Sequence, residues 1–240
     1  MPHLLHMTIE ILTAKWNVFW ETLPSYGQDV VQGLLNTLQI AGFGFLLGLA
    51  IGALLALAKL LPPYRMWQRV LSRLADAYIA LFRGTPIVAQ LLIGWYFLKP
   101  LLGLDALTAE TSCIIIFGLN SGAYVAEIMR GGILSVPKGQ LEAGRALGLS
   151  YAGTMGRVIL PQAFRNTLPT LGNELISLVK ETSVVSFVGA LDLYNAVTKV
   201  GSEHYEFMIP YLFLAVIYLV LILVITALLK LLEKQLRKRA

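Results

Sequence analysis

The longest stretch without a charged side chain, Val30 to Ala58, runs for 29 residues, and a second, Phe207 to Leu229, runs for 23. A helix needs about 20 such residues to cross the hydrocarbon core of a bilayer. Only helices and closed barrels satisfy their backbone there. Composition agrees: 57% of the 240 residues are hydrophobic and 14% are charged, against about 25% charged in soluble domains. A single core has no use for that much apolar surface, so the surplus is expected to face lipid. This argues against a soluble enzyme, a disordered chain and a nucleic-acid binder. The net charge of +5 does not restore the last of these, because the basic residues lie between apolar runs rather than on one soluble face.

Two shorter runs, Gly84 to Leu98 and Thr111 to Ala126, become spans if a flanking charge enters the membrane or snorkels. A fifth candidate, about 168–191, is interrupted by Glu174, Lys180 and Glu181. Charge placement supports it. Three segments, beginning at Lys59, Arg130 and Lys230, hold 14 of the 19 basic residues. The positive-inside rule puts all three in the cytoplasm, and they alternate correctly only if that fifth candidate crosses. The expected fold class is therefore an all-α membrane protein with five transmembrane helices, at about 30–58, 82–99, 109–130, 166–190 and 207–231. Residues 1–29 are expected as an external N-terminal segment without a cleavable signal, about 131–165 as a cytoplasmic loop, and 236–240 as a cytoplasmic tail. Pro62-Pro63 breaks the chain after the first span, and Arg65 to Phe82 is amphipathic enough to lie along the inner surface before Gly84-Thr85-Pro86 turns it inward. No internal repeat is evident.

Gly44, Gly48 and Gly52 recur every four residues and make a flat stripe on the first span. Such stripes serve dimerisation or packing within one chain. On the third span Asn120, Tyr124 and Glu127 share a helical face. They could hold a small zwitterion, Glu127 taking the ammonium, or form a structural link in which Glu127 pairs with Arg130. The fourth span places Asn173, Ser177 and Lys180 on one face, with Glu174, Glu181, Thr182 and Ser183 close by. A translocation path and an internal ion pair both fit. Cys113, the single cysteine, sits in an apolar run and reads as a small core residue.

The loop from Arg130 to Arg165 is too long for a turn. Val136-Pro137 starts a helix, Glu142-Ala143-Gly144 sits in it, and Gly148 allows the left-handed residue that ends it. Tyr151 to Ile159 suits a second short helix, closed by Leu160-Pro161. The pair looks like a docking knob.

Glu142-Ala143-Gly144, three residues, Gly148, nine residues, then Val158-Ile159-Leu160-Pro161 resembles the EAA loop of ABC importer permeases, departing from it at Gly144 and Val158. Phe82-Arg83-Gly84-Thr85-Pro86, Asn120 through Glu127, Arg130-Gly131-Gly132-Ile133 and Lys180-Glu181-Thr182-Ser183 resemble the polar amino acid branch, of histidine, glutamine and arginine type. The resemblance implies an ABC type I importer permease of the bacterial inner membrane; the charge alternation puts its amino terminus outside and its carboxyl terminus in the cytoplasm. The resemblance also implies a second permease subunit, identical or not, two ATP-binding ABC subunits and an extracytoplasmic solute-binding protein. It implies ATPase coupling through Glu142, Ala143, Gly144, Gly148, Leu160 and Pro161, and substrate contact at Asn120, Tyr124, Glu127, Glu181 and Thr182. No cofactor is expected on this chain; ATP and magnesium are expected on the partner ATPase. The sequence has no Gly-x-x-x-x-Gly-Lys-Ser/Thr segment, and His3, His6 and His204 read as surface residues rather than metal ligands or catalysts. A stand-alone secondary transporter or channel for a small polar solute would fit the spans but not the loop. A membrane enzyme would need converging catalytic groups that are not visible.

Overall fold

A computed structural model describes the backbone of residues 2–60 and 64–238, and the side chains of 9–60 and 64–235. Pro62-Pro63, the side chains of His3 and His6, and those of the tail from 236 lie outside the described residues. All the regular structure described is helical. Helix α1 is Pro2–Thr22 and α2 is Gly27–Leu60, joined by a tight turn over Leu23–Tyr26. The stretch expected as an external segment is thus largely helical. Ile9–Leu60 forms one apolar stretch of 52 residues, well beyond what a single crossing needs.

Helix α3, Met66–Arg83, is separated from α4, Ile87–Ile93, by a 102° bend. Pro86 is extended at the head of α4, as a residue fixed near −65° in φ and lacking an N–H permits at a helix start. From α4 the chain passes through a wide turn at Gly94–Leu98 into a short α5, Lys99–Leu101. Helix α6, Ala109–Leu134, is capped by Thr108, whose hydroxyl accepts from the Thr111 amide at 3.2 Å. Then come α7, Lys138–Ala146, α8, Tyr151–Thr154, and α9, Leu160–Glu181. Helix α10, Leu193–Glu203, is capped by the buried Asp192 carboxylate, which accepts from the Asn195 and Tyr194 amides. Helix α11 is Met208–Lys238.

The α2–α6 seam organises the rest. A Cβ at Gly44 would stand 3.2 Å from Phe117 Cβ, one at Gly48 2.7 Å from Ser121 Cβ, and one at Gly52 2.6 Å from Val125 Cβ. The glycine stripe therefore packs within the chain, and the dimerisation alternative is not what this face does. Around the seam Ile40, Leu91, Phe117, Leu178, Val179 and Val185 form the main core, with Cys113 fully buried among them.

By length and apolarity three described helices can cross a membrane: Ile9–Leu60, Ala109–Leu134 and Met208–Gln235. The bent pair Met66–Arg83 and Ile87–Leu101 is a fourth if it counts as one span. Helix α9 has the length but not the apolarity. It also starts earlier and stops sooner than the expected 166–190, because Pro161 sits at its first turn and a tighter turn takes over at Thr182–Val188, ending at Gly189 with φ 78°.

Candidate functional site

Three polar constructions stand out on this apolar frame. The first is a charge cluster where α2, α3 and α6 meet. The Glu127 carboxylate lies 2.7 Å from Arg130 Nη2, 3.2 Å from Lys59 Nζ and 3.8 Å from Arg83 Nη1. Lys59 also reaches Asp76 at 2.8 Å. The Arg83 guanidinium lies over the Tyr124 ring, 5.4 Å from its centre. Glu127 is thus the shared counter-ion of three cations drawn from three helices. Asn120, two turns before Glu127 on α6, is buried: its amide donates to Gln90 Oε1 at 2.9 Å and to the Phe82 carbonyl at 3.3 Å. It ties α6 to both sides of the α3–α4 bend.

This geometry makes a prediction. Glu127→Gln leaves three cations facing each other with only Asp76 against Lys59. The expected cost is about 1–3 kcal/mol, since removing one partner of a partly buried charge group strands the others. It should shrink as salt screens the repulsion. Thermal unfolding at low and high salt measures it, and an unchanged midpoint would mean the cluster contributes nothing.

The second construction is a stripe along α9. Asn166, Thr170, Asn173 and Lys180 are exposed and Ser177 is half-buried; the spacing puts all five on one face. Asn173, Ser177 and Lys180 are legible as one face in the sequence. Asn166 and Thr170 were masked by the basic and proline-rich surroundings, though the period that links them to Asn173 could have been read. Glu181 is half-buried beside the stripe, whereas Thr182 is fully buried and donates to the Val179 carbonyl at 2.8 Å. Behind the stripe Ser121 donates to Glu174 Oε1 at 2.9 Å, a polar link between α6 and α9.

The third construction is the α7–α8 unit. Helix α7 ends in two paired bonds: the Gly148 amide donates to the Arg145 carbonyl at 3.0 Å and the Leu149 amide to the Gly144 carbonyl at 3.1 Å. Gly148 takes the required left-handed conformation, with φ 81°. Gly144 is buried against Thr154 so closely that a Cβ there would collide with the threonine side chain. Ser150 caps α8 by accepting from the Gly153 amide at 3.1 Å. A small core of Val136, Ile159 and Ala163, with Leu141 against it, anchors the unit. Glu142, Ala143 and Leu147 remain exposed on its outer face. Leu160 and Pro161 do not close the unit, because the wide turn at Met155–Ile159 feeds straight into α9 and makes them its first residues.

A family model for binding-protein-dependent transport system inner membrane components matches residues 44–238. The arginine transport system permease protein of Bacillus subtilis is 38% identical over 221 residues, covering 91% of this chain and 97% of the relative. The glutamine transport system permease protein of Escherichia coli is 36% identical over 226 residues, covering 92% and 97%. A solved structure of an amino acid ABC transporter with histidines is similar at a TM-score of 0.80 and 36% identity, covering 89% of this chain and 96% of that one. With its fold, its α7–α8 unit and these relatives in agreement, the chain belongs to the family of binding-protein-dependent transport system inner membrane components.

Proposed function

We propose that this chain is the permease subunit of an ATP-driven importer that carries a polar amino acid across the bacterial inner membrane. The observation that carries the reading is the α7–α8 unit, a braced pair of helices whose outer face, with Glu142 and Ala143, has no partner within the described chain. Its natural occupant is a cytoplasmic ATPase subunit, which binds the ATP and magnesium. The relatives named for arginine and glutamine transport support a polar amino acid as cargo. Five crossings place the amino terminus outside and the carboxyl terminus in the cytoplasm, with α9 as the fourth crossing. Two permease chains, identical or paired, two ATPase subunits and an external solute-binding protein complete the assembly. Closure of the ATPases drives the two knobs together, and the spans reorient between outward-facing and inward-facing states, to which cargo and nucleotide bind with different affinity.

The α9 stripe supplies the path. Asn166 donates to Ser135 Oγ at 2.8 Å; the other four polar side chains, on one face of a crossing helix, are too costly against lipid, so they face water or a second permease. Tyr124 and Glu181 keep accessible surface for the cargo; Asn120, Glu127 and Thr182 are engaged by other parts of the chain, Glu127 holding the Arg83 guanidinium that lies over the Tyr124 ring. Two experiments test these readings. In vesicles holding the chain and its receptor, uptake is expected only when the ATPase subunit is added; uptake without it would favour the stand-alone transporter. In a Cys113→Ala background, cysteines at Asn173, Ser177 and Lys180 are expected to react with a charged thiol reagent, more slowly when cargo and receptor are present. Complete protection in every state would make the stripe a dry contact.

A further inference from the structure

The charge cluster around Glu127 does not close on itself. Lys59, Arg83 and Arg130 bring three positive charges to it, and Asp76 and Glu127 bring two negative ones. Two of the cations are taken up. Arg130 donates to the Glu127 carboxylate through Nε at 3.2 Å and through Nη2 at 2.7 Å. Lys59 divides its ammonium between Asp76 at 2.8 Å and Glu127 at 3.2 Å. Arg83 is left over. Its guanidinium stands 3.8 Å from Glu127, beyond hydrogen-bond reach, and donates no hydrogen bond among the described residues.

The group is nevertheless held in place. It lies over the Tyr124 ring, 5.4 Å from its centre. The backbone on both sides of it is tied down. The Phe82 carbonyl accepts from Gln90 Nε2 at 2.8 Å and from Asn120 Nδ2 at 3.3 Å. The Gly84 amide donates to the Ala80 carbonyl at 2.9 Å, and the Thr85 carbonyl accepts from Gln90 Nε2 at 3.0 Å. The Arg83 side chain is 45% exposed and Tyr124 36%, so the pair can be reached from outside the chain.

We propose that Arg83 binds the α-carboxylate of the transported amino acid, presenting its donors from the face of the Tyr124 ring. This rests on the transport reading above and adds the residue that recognises the part common to every amino acid. Charge and shape select the ligand. The cluster carries one surplus positive charge, which a single carboxylate cancels. The planar guanidinium matches a carboxylate through two parallel hydrogen bonds, which an ammonium in its place could not form. Glu127 orients the guanidinium from a distance at which it takes none of its hydrogens, leaving them for the cargo. Asn120 and Gln90 act as positioning residues, through the bend that carries Arg83.

The test uses the permease assembled with its ATPase, without receptor, in phosphatidylcholine nanodiscs. Equilibrium binding is measured for L-arginine and L-glutamine and for their α-amides, which keep the side chain and lose the carboxylate. The parent is expected to bind each amino acid about tenfold or more tighter than its amide, the difference one charge-assisted contact makes. Arg83→Gln should bind amino acid and amide alike, for both side chains. Arg83→Lys, which keeps the charge and loses the fork, should keep part of the preference. A merely structural role would weaken all four probes together and leave the ratio unchanged. The proposal is overturned if the parent does not distinguish amino acid from amide, or if the preference survives Arg83→Gln. It is also overturned if inorganic phosphate displaces bound amino acid as well as unlabelled amino acid does, which would make Arg83 a general anion or headgroup site. A variant that sheds a subunit but keeps the preference would likewise overturn it and assign Arg83 to an interface. Uptake by the parent into vesicles with receptor is scored separately. No uptake fails the transport reading, whereas normal uptake with an unchanged ratio in Arg83→Gln fails only the role of Arg83.

Discussion

Gly52→Leu is expected to disrupt the α2–α6 seam and leave too little folded protein to purify, or protein destabilised by at least about 1–3 kcal/mol, the usual range for overpacking. The reason is what a side chain would meet there. A Cβ at Gly52 would stand 2.6 Å from Val125 Cβ and 2.9 Å from the Ala126 amide nitrogen. A flexible side chain can swing aside, but backbone cannot, so the two helices must separate. Separation unseats the neighbouring contact at Gly48, where Ser121 lies 2.7 Å from the same kind of added atom. It also breaks the register that brings Lys59 to Glu127. Gly42→Leu is the control: it lies on the same helix, with nothing within 4 Å of an added Cβ. It should fold normally and melt within about 0.5 kcal/mol of the parent. Thermal unfolding of the purified chains in detergent compares the two. If Gly52→Leu instead melted normally and changed only the oligomeric size, the glycine stripe would be an interface between chains.

The elements that could be read from the sequence are those whose signal is local. Two long uncharged runs announce α2 and α11, because no soluble solution buries 29 consecutive uncharged residues. Gly148 announces the end of α7, because few residues other than glycine adopt φ 81° at low cost. What stayed hidden depends on distant partners. Glu127 with Arg130 was visible at i+3 spacing, but Lys59, 68 positions away, and Arg83, 44 positions away, are brought there only by the fold. Asn120 looked like a cargo ligand because a polar side chain inside a span must face something; that it faces Gln90 and Phe82 follows from the α3–α4 bend. The helical character of Pro2–Thr22 is not legible because the segment lacks one long uncharged run, Glu10, Lys15 and Glu21 interrupting it. Helix α9 shows the limit from the other side. Charge alternation across the whole chain argues for it as a crossing, whereas its own hydropathy does not, and it is not among the helices apolar enough to span by themselves.

Charge reversal at Glu142 is expected to cut receptor-stimulated ATP hydrolysis and uptake by about thirtyfold or more, with insertion and thermal stability unchanged. That magnitude corresponds to losing one charged contact from a protein interface, about 2 kcal/mol or more. The separation of effects follows from the structure of the knob. Glu142 is exposed on α7 and supports nothing inside the unit, so its loss is felt only by a partner. Two neighbours give the opposite signature. Gly144→Leu drives a side chain into Thr154 and pushes α7 off α8, so it should lower stability and coupling together. Gly148→Ala meets no neighbour, and its cost is the left-handed backbone alone, about 1–2 kcal/mol; it should loosen the end of α7 and weaken coupling in proportion. Melting temperature set against coupled ATPase activity for the three variants separates a gripped surface from a merely structural one. On the docking reading Glu142→Lys falls off the line defined by the two glycine variants, losing coupling without losing stability. If it falls on that line, or transports normally, the ATPase grips the permease somewhere other than the outer face of α7.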